Sequence, residues 1–158
     1  MPEEKIKVLF VDDEENNLFS FKAAFRLKYK VFTAISADAA MKVLDENPDI
    51  QVVITDQRMP EITGVEFLQM LLDKHPDPIR IMLTGYANLG DTIDAVNKGK
   101  IFHYLNKPWK EEELDDTIIK AHDKYQSETE KKIRAERTEK AERSADQMEF
   151  LLRQKLLS

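Results

Sequence analysis

The sequence contains no cysteine. Disulfides, thiolate metal sites and cysteine nucleophiles are therefore excluded, and the chain suits a reducing, cytoplasmic compartment. With three histidines and no cysteine, the usual ligand set of a structural zinc site is missing. No apolar run approaches the roughly 20 residues of a membrane span, and Met1–Lys5 has no signal-peptide shape. A soluble protein without a membrane partner is expected. Positive charge is in deficit, 24 Lys and Arg against 30 Asp and Glu, and a net charge of −6 disfavours direct nucleic-acid binding. Glycine and proline are scarce and unevenly placed, since all four glycines and all six prolines precede Trp109. From Lys110 to Ser158 there is neither, and those 49 residues carry 11 basic and 13 acidic side chains. A run of helix formers without punctuation predicts one long helix leaving a compact domain.

The first part has what the tail lacks. Five short apolar runs rich in β-branched and aromatic residues read as buried strands: Ile6–Val11, Lys30–Ala34, Gln51–Thr55, Ile79–Leu83 and Ile101–Leu105. Helix-length segments separate them. Residues 16–28 set Leu18, Phe21 and Phe25 on one face. Ser36 is placed to cap a second helix, and Thr63 to Glu66 form a capping box ahead of Phe67, Leu68, Leu71 and Leu72. Residues 88–98 offer Ile93 and Val96 before a stop at Gly99. The alternation of strand and helix predicts an α/β fold, a parallel sheet with helices on both faces. Glu111, Glu112 and Glu113 then suit the first turn of the last helix.

Ligands of such sheets bind beyond the C-terminal ends of the strands. The residues arriving there are Asp12 and Asp13 after the first run, Asp56 after the third, Thr84 after the fourth, and Asn106, Lys107 and Pro108 after the fifth. Each alone reads as a helix cap or a solvated turn. Together, three carboxylates at one sheet edge repel one another, and a hard oxygen-seeking cation such as Mg²⁺ relieves that repulsion. A cation, a lysine and a hydroxyl converging on one carboxylate are what a phosphoryl group needs, and aspartate is a nucleophile that forms an acyl phosphate. The remaining residues get plainer readings. His75 and His122 are expected on helix surfaces, His103 to pack in a strand, Met41, Met59, Met70 and Met82 to fill the core, and Trp109 to pack where the last helix begins.

The segments VLFVDDE (8–14), VVITDQRMPEITGVEFL (52–68), RIMLTGYA (80–87) and YLNKPW (104–109), with the spacing between them, resemble the receiver domain of bacterial two-component response regulators. The resemblance covers residues of about 5–122. It implies a flavodoxin-like doubly wound sheet of order 2-1-3-4-5, with residues 1–122 as the receiver domain and 123–158 as a helical extension. It implies Asp56 as phosphoacceptor, Asp12 and Asp13 as holders of Mg²⁺ together with Asp56 and the backbone carbonyl of Arg58, and Thr84 and Lys107 as contacts of the phosphoryl oxygens. It further implies Tyr104 as the switch aromatic that responds to Thr84, and a cis Lys107–Pro108 bond. Gln57, Arg58 and Tyr86 are less usual neighbours. The bulk of Arg58 and Tyr86 is expected to shield the acyl phosphate from water. The stretch 99–103 also departs from the family's small-acidic turn.

The function so implied is a phosphorylation-dependent signalling switch: a sensor histidine kinase or phosphotransfer protein supplies the phosphoryl group, and the change passes to the C-terminal helix and an effector. The chain is expected to label itself on aspartate without being a turnover enzyme. A metal-dependent phosphohydrolase is a poorer reading, because the position for its general acid holds Arg58. A structural dimerisation module with an unused acceptor site is the remaining alternative. The tail, about 73 Å long if wholly helical, has only Leu114, Ile118 and Ala121 to bury against the domain. Its later apolar residues step mostly by four, so a strict heptad is absent. Phe150, Leu151, Leu152, Leu156 and Leu157 are costly to expose, which favours a parallel homodimer through this helix over a frayed single helix. A cyclic-dinucleotide enzyme, a phosphatase or a DNA-binding module are candidate effectors.

Overall fold

The computed structural model describes residues 4–85 and 101–157. Strands β1 (Lys7–Val11), β2 (Lys30–Ala34), β3 (Val52–Asp56), β4 (Ile79–Thr84) and β5 (His103–Asn106) form one sheet of order β2-β1-β3-β4-β5, and every pairing is parallel. The described helices are α1 (Glu15–Phe25), α2 (Ala37–Glu46), α3 (Gly64–Lys74) and α4 (Glu111–Leu157). The helix expected over 88–98, with Gly99 and Tyr86, lies outside the described residues.

Alternation along the strands divides the core. Val8, Phe10, Val52, Ile54, Ile81 and Leu83 pack with Phe21, Phe25 and Tyr29 and with Leu114, Ile118 and Ala121 at the start of α4. Leu9, Val11, Val53 and Met82 point the other way, onto Ala40 and Leu44 of α2 and Phe67, Leu68 and Leu71 of α3. The first cluster is aromatic: Phe10 stacks on Phe21 at 4.2 Å between centroids, and Trp109 lies 6.1 Å from Phe21 and 5.8 Å from Phe25. Trp109 therefore packs where α4 begins, as expected.

The caps follow the sequence. Ser36 Oγ accepts the Ala39 amide at 3.1 Å, and Thr63 and Glu66 exchange the two bonds of a capping box. Helix α1 stops at Phe25, three residues short of its expected end. Lys28 and Tyr29 both donate amides to the Phe25 carbonyl, and this turn leaves Leu27 80% exposed. The Tyr29 ring is buried, its hydroxyl hydrogen-bonded to Asp115 of α4, and Lys28 pairs with the same carboxylate.

Three side-chain expectations are corrected. His103 is exposed, because it opens an edge strand before Tyr104 and Leu105 take the inward positions. Met70 is exposed on the outer side of α3, since Phe67, Leu68 and Leu71 hold the inner side. His75 is the C-cap of α3 rather than an open surface residue, with Nε2 2.7 Å from Asp45 Oδ1 of α2.

The chain separates into two compact units, residues 1–125 and 126–158. In the first, α4 buries Leu114, Thr117, Ile118 and Ala121. In the second, every described residue except Thr129 is exposed, including Met148, Phe150, Leu151, Leu152, Leu156 and Leu157. Glu130–Arg134, Glu139–Arg143 and Glu149–Arg153 pair one turn apart, acid first, the orientation that best supports a helix. Among the described residues no helix is long and apolar enough to cross a membrane.

Candidate functional site

The parallel sheet delivers its polar residues to one edge. Backbone bonds there hold the strand exits together: Asp12 donates to the Ala34 carbonyl (3.1 Å), Gln57 to Leu83 (3.2 Å) and Lys107 to Thr84 (2.9 Å). The adjacent strands β1 and β3 thus bring Asp12, Asp13 and Asp56 side by side, each with an oxygen within 4.8 Å of the others. Asp12 is wholly buried, Asp56 and Thr84 nearly so, and Asp13 only partly covered.

Lys107 reaches into this group from the end of β5. Its Nζ lies 2.8 Å from Asp56 Oδ2 and 3.3 Å from Asp12 Oδ2. Burial alone would lower the pKa of this ammonium. The bonds to Asp56 and Asp12 and their charges outweigh that penalty and hold it above the usual lysine range. The Arg58 amide donates to Asp56 Oδ1 at 3.3 Å, while the Arg58 side chain is exposed. Tyr104 is half-buried against the second core cluster, and the Lys107–Pro108 peptide is cis. The donor set consists of hard carboxylate oxygens, three anions balanced by one ammonium, and it fits a divalent cation of the Mg²⁺ type. An open cleft of about 600 Å³ continues from Asp12 and Lys107 past Asn17, Ser20 and Gly85 to Trp109.

Two further residues shape the site. Asn17, in the first turn of α1, donates its amide to Asp12 Oδ2 at 3.1 Å and to Glu14 Oε2 at 3.2 Å. Its five-residue step from Asp12 across a helix start was the only sequence signal. Gly64 begins α3 directly under the end of β3. Its amide donates to the Gln57 carbonyl at 3.0 Å, the Val65 amide donates to Gln57 Oε1 at 3.1 Å, and a Cβ on Gly64 would meet the Asp56 carbonyl oxygen at 2.4 Å. In the sequence Gly64 reads only as the interior of a capping box, because nothing local marks a close approach to a distant strand. The loop between them carries Glu61 at φ 72°, a left-handed conformation.

Residues 8–119 match the response regulator receiver domain family. A curated relative, the hydrogenase transcriptional regulatory protein HoxA of Cupriavidus necator, is 37% identical over 121 residues, which are 77% of this chain and 25% of the relative. The chain thus spans a quarter of that protein's length. Among solved structures, the signal receiver domain of an HD domain-containing protein from Pseudomonas fluorescens Pf-5 superposes with a TM-score of 0.76 at 28% identity, covering 82% of this chain and 96% of that one. The beryllofluoride-activated NtrC4 receiver domain dimer gives 0.69 at 32% identity, covering 75% and 98%. The acidic edge with its lysine, the sheet order and these matches agree: the chain belongs to the response regulator receiver domain family.

Proposed function

We propose that the chain is a phosphorylation-dependent switch in which Asp56 accepts a phosphoryl group from a sensor histidine kinase or phosphotransfer protein. Receiver domains pair with histidine kinases and are not turnover enzymes. The observation that carries the assignment is Lys107 Nζ bridging Asp56 Oδ2 and Asp12 Oδ2 beside Asp13. An Asp56 oxygen attacks phosphorus, a new P–O bond forms, and the P–N bond to the donor imidazole breaks, the leaving nitrogen taking up a proton. The Lys107 ammonium and the Thr84 hydroxyl receive the phosphoryl oxygens as their charge redistributes. Asp12, Asp13, Asp56 and the Arg58 carbonyl would hold Mg²⁺, which when bound neutralises charge on the transferred group. The exposed Arg58 side chain would shield the acyl phosphate.

Tyr104 is the residue through which the state of Thr84 reaches the rest of the fold, since the two lie on adjacent strands and Tyr104 borders the second core cluster. Residues 1–122 would form the receiver and 123–158 the output extension. The exposed apolar residues between Met148 and Leu157 support self-association of that extension as a homodimer. The NtrC4 receiver domain is itself a dimer in its activated form. The effector would be a separate module or partner, and the compartment the cytoplasm.

Intact mass after incubation with a small-molecule phosphodonor tests this reading. One Mg²⁺-dependent phosphoryl addition is expected on the wild type and none on Asp56→Asn. Stoichiometric addition to Asp56→Asn would move the acceptor elsewhere. No addition to the wild type from either donor or kinase would favour the structural dimerisation module.

A further inference from the structure

Asp12 is the most enclosed carboxylate of the site, with no exposed surface, and its two oxygens take three donors. Oδ1 accepts the Glu14 amide at 2.9 Å. Oδ2 accepts from Lys107 Nζ at 3.3 Å and from Asn17 Nδ2 at 3.1 Å. The Glu14 amide is set by the turn that begins α1. Lys107 is shared, and it sits closer to Asp56, at 2.8 Å. Among the described residues, Asn17 is therefore the one side chain that grips Asp12 without also contacting Asp56.

The chemistry of that grip is specific. A primary amide has two N–H donors, and both are used, one on Asp12 and one on Glu14 Oε2 at 3.2 Å. Both acceptors are carboxylates, so the nitrogen end of the amide must face them. A cationic donor in this place would add a second positive charge and compete with a metal ion. A carboxylate would repel Asp12. An amide orients the acid while leaving the negative charge of the cluster intact.

We propose that Asn17 is a positioning residue for the cation site: it locks the Asp12 carboxylate in the orientation that converges with Asp13 and Asp56, and it leaves Lys107 free to favour Asp56. The proposal rests on reading those three acids as a Mg²⁺ site. Without the amide, Lys107 is the only side-chain donor left to Asp12 Oδ2 among the described residues. The carboxylate then turns toward the ammonium, and the metal loses a preorganised ligand. Donors that orient metal-binding groups are typically worth about 10–100-fold in metal affinity.

The test is calorimetric titration of Mg²⁺ into the full chain, with no phosphodonor present, for wild type, Asn17→Ala, Asn17→Leu and Asp13→Asn, alongside the metal-free thermal midpoint of each. Asn17→Leu keeps the volume and the helix but has no donor, so it serves if the alanine variant folds poorly. The expected result is Mg²⁺ binding weakened about 10–100-fold in both Asn17 variants, with metal-free midpoints near that of the wild type. Wild-type affinity in Asn17→Leu, with binding lost in Asp13→Asn, would overturn the role of Asn17 and leave the metal site standing. Equal affinity of wild type and Asp13→Asn, or no binding by the wild type, would overturn the metal-site reading and this proposal with it.

Discussion

Gly64→Ala tests how closely strand β3 and helix α3 are fitted. The added Cβ would lie 2.4 Å from the Asp56 carbonyl oxygen and 3.0 Å from Gln57 Cα. Carbon and oxygen normally rest at about 3.3 Å or more, so the backbone must open by about 0.9 Å. The neighbours that would have to give are backbone atoms, and the Gly64–Gln57 bond and the Val65 bond to Gln57 Oε1 tie the two elements together. Overpacking of this kind costs about 1–3 kcal/mol. Gly64 has no positive φ, so alanine meets no conformational penalty and regains up to about 1 kcal/mol of helix propensity. A net loss of about 1–2 kcal/mol in urea unfolding is expected. The chemical effect should be larger, because the displaced carbonyl belongs to Asp56, the proposed acceptor, and a misplacement of about 1 Å can cost about 100-fold in rate. Initial rates of Mg²⁺-dependent phosphoryl addition, followed by intact mass under conditions where the variant is folded, give the readout. Wild-type stability together with a wild-type labelling rate would refute the close fit of residues 56 and 64.

Other perturbations probe other contacts. Asp13→Asn removes one of three converging anions and should raise metal-free stability by about 1–2 kcal/mol while abolishing the stabilisation expected from Mg²⁺ on the wild type; unfolding curves with and without Mg²⁺ check both. Glu61→Gly relieves a left-handed residue and should add about 1 kcal/mol, unless the loop relaxes at no cost, in which case urea midpoints will coincide. Asp115→Ala strips the buried Tyr29 hydroxyl of its acceptor, and a loss of about 1–3 kcal/mol in chemical unfolding is expected. Burial opposes ionisation of Asp115, but its bonds from Lys28 and Tyr29 prevail and lower its pKa from 3.8. That stabilisation is present above pH 3.8 and is lost as pH falls below it through the folded-state value, so the variant's stability should change less with pH in that window. Charging the tail with Leu152→Glu and Leu156→Glu should abolish concentration-dependent sedimentation, and an unchanged profile would remove the homodimer from the proposed output.

Hydrophobic period and punctuation were enough to mark five strands, the caps at Ser36 and Thr63 and an unbroken terminal helix, because those features depend on neighbours a few residues apart. The order of strand-end residues likewise announced the acidic edge: parallel crossovers all bring their exits to the same side, so Asp12, Asp13, Asp56, Thr84 and Lys107 had to meet wherever the strands paired. Tertiary structure decided what depends on distant partners. The bridge from Lys107 to both Asp56 and Asp12, the need for glycine at 64 and the grip of Asn17 on Asp12 arise from elements separated by up to 95 residues. The side-chain placements that the sequence reading missed have the same origin. His103, Met70 and His75 sit in patterns that read alike for core and surface, and only the packing of the sheet edge and of α2 against α3 gives each its environment. Local periodicity reports which way a side chain points along its own element, while burial and contact are properties of what that element meets.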